Sequence, residues 1–180
     1  MKKYKLTKEK RTILGRTAYR IQALRDFSNV KKGDLGGFVE SEDNLSHDGD
    51  CWLYGDAANI ENSRRGENAC GYDSVISFGN SRQSGDSWQS GNSQQFDNSQ
   101  QSGYSLQCDN SRQSGDSQQF GHSLQSGNSW QSGHSWQFGN SRQCGNSRQS
   151  GHSLQFGHSL QSGNSRQSGC SRQSGNEESI

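Results

Sequence analysis

From Gly79 to Ser174 the chain is one six-residue unit repeated without a gap, sixteen times. The run opens Gly79-Asn80-Ser81-Arg82-Gln83-Ser84 and closes Gly169-Cys170-Ser171-Arg172-Gln173-Ser174. Ser is third and Gln fifth in every unit, and the first position is Gly except at Asp97 and Asp109. A short fixed period admits few folds, because one unit cannot bury a face alone and must stack on its neighbours.

Within a unit the order is turn, Ser, variable residue, Gln, and a final Ser, Phe or Cys. Side chains alternate faces along a strand, so Ser and Gln share one face while the variable and final residues share the other. The variable column holds Arg at 82, 112, 142, 148, 166 and 172, and Trp at 88, 130 and 136. Stacked unpaired guanidiniums cannot be buried, so that column faces water and Ser and Gln point inward. Asn dominates the second position, where it is expected to adopt the left-handed conformation of a tight corner beside Gly.

This order resembles the hexapeptide-repeat, left-handed parallel β-helix superfamily. There an aliphatic residue is followed four positions later by a small one, and three hexads make a triangular coil. Leu53-Tyr54-Gly55-Asp56-Ala57 and Ser77-Phe78-Gly79-Asn80-Ser81 match that pattern. The stretches at 19–27, 33–40 and 44–57 look like the head of uncharacterised bacterial and prophage members, some of them labelled transferases. The resemblance implies an all-β fold, a left-handed parallel β-helix with three hexads per coil; the alternation at 18–24, the turn chemistry at 31–38 and the need to cover an open solenoid end add a small N-terminal β cap.

The array departs from the family at its interior, where Gln replaces Val, Ile or Leu from Gln83 to Gln173. A buried Val contributes about 1.5–3 kcal/mol. Gln amides stacked as ladders along the axis would return about 0.5–1.5 kcal/mol per hydrogen bond. Fixing each side chain costs about 1.5–2 kcal/mol of entropy. The array is therefore expected to be the weakly held part.

Composition points the same way. Only 25% of the 180 residues are hydrophobic and none is Pro, against about 45–50% apolar in ordinary domains. The net charge of +1 hides a division: residues 1–32 carry eleven Lys or Arg against two acids, and 33–78 carry two against ten. A basic head can touch nucleic acid, but a solvated face is the plainer reading, and nucleic-acid binding is not expected. No apolar run of secretory or membrane-spanning length is present. Five scattered Cys without CxxC spacing suggest reduced thiols in a cytoplasmic setting, and neither a disulfide scaffold nor a zinc site.

The organisation expected is a cap over 1–43, more hydrophobic solenoid coils over 44–78, the regular array over 79–174 and a tail over 175–180. Tyr19, Ile21, Leu24, Phe27, Leu35 and Phe38 should form the cap's core. His47 and Asp48 beside Trp52 read as a hydrogen-bonded corner. Leu45, Leu53, Ala57, Ala69 and Val75 should point inward, and the irregular segment 62–73 is expected to bulge.

Binding chemistry should sit on the outside of the array. Residues eighteen apart should stack, which groups Phe120, Phe138 and Phe156 with Trp136 and Leu154 beside them, and His134 and His152 at the adjoining corner. Leu106, Leu124 and Leu160, interrupted by Arg142, share a second face; Arg112, Trp130, Arg148 and Arg166 share the third. The reading is a non-catalytic structural or interaction solenoid, presenting these faces to a protein partner or to another copy. No catalytic residue, cofactor or metal is assigned. Two alternatives stand beside it: an acyltransferase-like enzyme, implied by the superfamily alone, and a folded cap carrying a disordered Gln/Ser/Gly/Asn-rich tail.

Overall fold

A computed structural model describes the chain apart from residues 116, 122–123, 132, 134–135, 138, 140–141, 147, 150, 152–153, 158–159, 162, 164–165, 168–171, 175–177 and 180. Side chains at 156, 166, 172–174 and 178–179 also lie outside the description. Strand β1 (Tyr4–Ile13) turns at Leu14 and Gly15, both at positive φ, into antiparallel β2 (Arg16–Ala23). Strand β3 (Leu35–Val39) pairs antiparallel with β2, placing Tyr19 opposite Val39. It also pairs in parallel with Ala58–Asn59, so the hairpin runs directly into a solenoid sheet. One 3-10 turn, Glu42–Asn44, is the single helical element among the described residues.

The rest is an all-β parallel solenoid of about six turns. Its strands are short, most of them two residues long, and each pairs with the strand eighteen residues on: Gln94 with Arg112, Gln100 with Gln118, Leu106 with Leu124. Among the described residues the three sheets hold ten, eight and seven strands, the first including β1 to β3. The segment at 62–73 does not bulge. It supplies the regular strands Arg64–Arg65 and Cys70–Gly71, because Ser63 and Ala69 still meet the inward requirement for a small side chain.

Each corner is made by the first residue of a unit. Gly85 has φ 68°, and a β-carbon there would lie 2.7 Å from the Gly103 nitrogen of the next turn. Where the first residue carries a side chain it is acidic: Glu61, Glu67, Asp73, Asp97 and Asp109 hold φ between 55° and 61°. Each carboxylate accepts the backbone N–H of a glycine one turn on, as from Gly115 to Asp97 (3.2 Å) and Gly127 to Asp109 (3.1 Å). This bond offsets the strain of the left-handed conformation and accounts for the two exceptions in the repeat.

Asn at the second position has a different role from the one expected. No described Asn has positive φ. Its amide instead builds an exposed ladder: Asn62 Nδ2 donates to Asn80 Oδ1 and Asn80 Nδ2 to Asn98 Oδ1, both at 3.1 Å.

The interior changes character along the axis. At the head, Tyr4, Ile21, Phe27 and Val39 pack with Leu45, Trp52, Leu53, Ala57 and Val75 in one apolar cluster. The hairpin and the first turns thus share a core. Phe38 is buried as expected, but Leu35 is 56% exposed, and Tyr19 and Leu24 are half-buried. β2 turns Ile21 and Ala23 to this core, while Ala18, beyond a register shift at Arg20–Gln22, packs with Ile13 and Phe38 in a second cluster. Gly36 and Gly37 let the chain pass close: β-carbons there would strike the Trp52 indole and the Ala57 carbonyl.

Beyond, the interior is Ser and Gln. Gln89, Gln95, Gln107 and Gln113 are wholly buried, while Arg82, Arg112 and Arg148 are exposed. Gln95, Gln101, Gln107 and Gln113 direct their amides to the backbone instead of to one another. Gln113 Nε2 donates to the carbonyls of Gln100 (2.8 Å) and Ser117 (3.2 Å), and Gln101 Nε2 to those of Trp88 and Ser105 (both 3.1 Å). Each Gln ties its own sheet to the next one across a corner. The carbonyl ends of Gln95, Gln101 and Gln113 meet no donor among the described protein groups.

At the junction, Arg65 occupies an inward position and is buried. Its guanidinium fills the space left by Gly71, donating to Gln89 Oε1 (3.0 Å) and Ser77 Oγ (3.4 Å). Burial draws its pKa down to about 10, which still leaves it charged at neutral pH.

Candidate functional site

The face expected to carry binding is partly described. Gln118, Trp136 and Leu154 follow one another in register on the seven-stranded sheet. Trp136 is 45% exposed, Leu154 and Phe120 are half-buried. Phe138, His134, His152 and the Phe156 side chain lie outside the described residues. The second face runs Leu106, Leu124, Arg142, Leu160 and the third Arg112, Trp130, Arg148, Arg166, both in unbroken register. On the third face the Arg148 guanidinium sits over the Trp130 ring at 5.2 Å. That aromatic is thus covered by the chain's own cation.

His47 is half-buried, with its ring 4.4 Å from that of Tyr4. Its Nδ1 accepts the Lys3 N–H at 3.2 Å and its Nε2 lies 3.7 Å from Glu42 Oε2. The carboxylate beside it is therefore Glu42, and Asp48 is exposed. The Lys2 ammonium, with His47 beyond it, holds the Glu42 carboxyl below the usual range. These groups border a cleft of about 510 Å³ with Arg64 and Arg82 on its far side. The Lys2–Glu42 ion pair and the Lys3–His47 hydrogen bond make this a structural corner joining the start of the chain to the first turn.

A larger cleft, about 770 Å³, lies on the eight-stranded sheet where the Ser28–Asn29 loop overhangs the first turns. Tyr54 and Tyr72 stack along one wall, 4.5 Å between centroids and 1° from parallel. Trp88 continues the row at 5.6 Å from Tyr72, tilted by 45°. It can do so because the residue above Tyr72 in its own column is the small Ser90. Asp50, Asn68 and Asp86 form the opposite edge, Asn68 Nδ2 donating to Asp86 Oδ1 at 2.9 Å. Burial pushes the Tyr72 and Tyr54 phenols and the Cys70 thiol above their ordinary pKa, so all three are neutral at pH 7.

This cleft is not marked by the hexad pattern. Its aromatics come from two different columns of the hexad, and its lip from the hairpin. The one available signal was the recurrence of Tyr at 54 and 72, eighteen residues apart.

Among the described residues no group of three or more His, Cys, Asp or Glu could hold a metal ion, and no helix is long and apolar enough to cross a membrane. No family model matches the chain, and no curated protein matches it.

Proposed function

We propose that the chain is a non-catalytic interaction solenoid, a left-handed parallel β-helix with three hexads per coil. It works in the cytoplasm and presents its outer faces to a protein partner or to another copy of itself. The observation that carries this reading is Trp136. It stands 45% exposed and in register with Leu154, on the outside of a rod whose interior side chains are buried. Large apolar groups held on a regular sheet form a surface with little conformational entropy to lose on binding.

The test is sedimentation velocity across a concentration series. The full chain should show a reversible shift toward a dimer, and Trp136→Ser with Leu154→Ser should remove it without lowering the melting temperature by more than a few degrees. A distribution identical in both proteins would count against self-association. Acetyl-coenzyme A should give no saturable heat in calorimetry. Saturable binding that disappears in His134→Ala or His152→Ala would favour the acyltransferase reading.

A further inference from the structure

The Tyr54–Tyr72–Trp88 cleft is on a different sheet from Trp136, and its chemistry is one-sided. Its charged lining residues are Asp50 and Asp86, and among the described residues no Lys, Arg or His borders it. Neither carboxylate has an ion-pair partner among the described residues, and Asp86 accepts only the Asn68 amide there. The phenols and the thiol are neutral, so among the described residues no group lining the cleft balances the two negative charges.

The aromatic wall adds to this. Elsewhere an Arg covers an aromatic ring, as Arg20 covers Phe38 at 4.4 Å and Arg148 covers Trp130 at 5.2 Å. Trp88 is 53% exposed, and its neighbours in register are Cys70 and Leu106, so no cation of its own column can reach it. A ring face with carboxylates opposite attracts a cation by quadrupole and by charge together. A volume of about 770 Å³ lies within the range of ligand sites and exceeds what one side chain needs.

We propose that this cleft docks a basic segment of a protein partner, an Arg or Lys side chain lying against Trp88 and Tyr72 with its head group paired to Asp86 and Asp50. An anion is excluded by the two carboxylates. A neutral sugar would use the rings and Asn68 but would leave both charges uncompensated. The site stands independently of the Trp136 face, so either can fail without the other.

The experiment is a nuclear magnetic resonance titration of the full chain, read at the backbone N–H groups of Cys70, Tyr72 and Leu106, which every variant retains, and at the Trp88 indole N–H where it is present. The probes are a capped triarginine peptide, a capped triglutamate peptide, maltotriose and tetramethylammonium. Triarginine should give a saturable shift that weakens several-fold between 20 and 200 mM salt. Affinity should fall at least about fivefold in Asp86→Asn and further in Trp88→Ala, with Trp88→Phe retaining part of it. Asp86→Asn separates charge from folding, because Asn at this corner can still accept from Asn68, as Asn80 accepts from Asn62. The proposal is overturned by no saturable shift, by an affinity indifferent to salt and to both variants, or by saturation with maltotriose or triglutamate in place of triarginine. Binding of tetramethylammonium without triarginine would overturn it too, by showing a site for a small free cation.

Discussion

The first turns and the array share one backbone plan and fill it with opposite chemistry. Leu53, Ala57, Ala69 and Val75 are buried in the first turns. Gln101, Gln107 and Gln113 are just as completely buried at inward positions further along. Strand pairing and the eighteen-residue register are the same in both regions. The fold is thus set by corner and ladder chemistry that the two regions have in common. What differs is how the sheets are held to each other: by apolar contact at the head, and by side-chain amides bonded to backbone carbonyls in the array. Arg65 sits where one regime gives way to the other.

A charge placed in the amide regime should separate the two regions most strongly. Gln113→Glu replaces two donated hydrogen bonds with a carboxylate facing the carbonyls of Gln100 and Ser117. Burial raises the folded-state pKa of such a group above its unfolded value near 4.3, so the folded protein binds more protons. The variant should be close to the parent below about pH 4 and lose stability as pH rises toward the folded pKa, on the order of 4 kcal/mol by pH 7. Thermal melts against pH would show it, and a pH-independent deficit would mean that position 113 is hydrated.

Next in size is Leu53→Ala, which empties part of the apolar head and should cost about 3 kcal/mol in denaturant unfolding. Gln113→Ala should cost only about 1 kcal/mol, because Ser117 O keeps its bond from the Gln100 N–H. Equal costs would erase the distinction between the regions.

The opposite change should help. Gln95→Val and Gln113→Val remove buried carbonyl oxygens that meet no protein donor, and add apolar burial and a strand-favouring side chain. Each should raise stability by about 1 kcal/mol. A melting temperature that falls would show that the Gln-to-backbone bonds contribute more than apolar packing.

The smallest effect is at a corner. Asp97→Ala keeps the left-handed residue but loses the acceptor for the Gly115 N–H, and should cost about 1 kcal/mol. Asp97→Gly should be nearly neutral, because relief of φ strain offsets the lost bond.

Much of the solenoid was legible because six is an even period: Ser81 and Gln83 fall on the same side as Leu53 and Ala57, and Arg82 falls on the other. The function of the corner residues was less legible. Asp97 and Asn80 each act on a residue eighteen positions away, so their roles appear only when turns are stacked. The Gln bonds were hidden for the same reason, Gln113 reaching back thirteen residues to Gln100 and forward four to Ser117. The Trp136–Leu154 register followed from the period. The Tyr54–Trp88 cleft did not, because a tilted ring from one column and a loop from the hairpin complete it.

The array's glutamines are interior and bonded to the backbone. This arrangement is tested most directly by hydrogen exchange at their side-chain amides in ¹⁵N-labelled protein. Gln101 and Gln113 should show two resolved, well-dispersed Nε2 protons exchanging at least about 100-fold more slowly than those of a free glutamine amide. Overlapped side-chain signals exchanging at the free rate, with the Leu53 region still protected, would contradict the account.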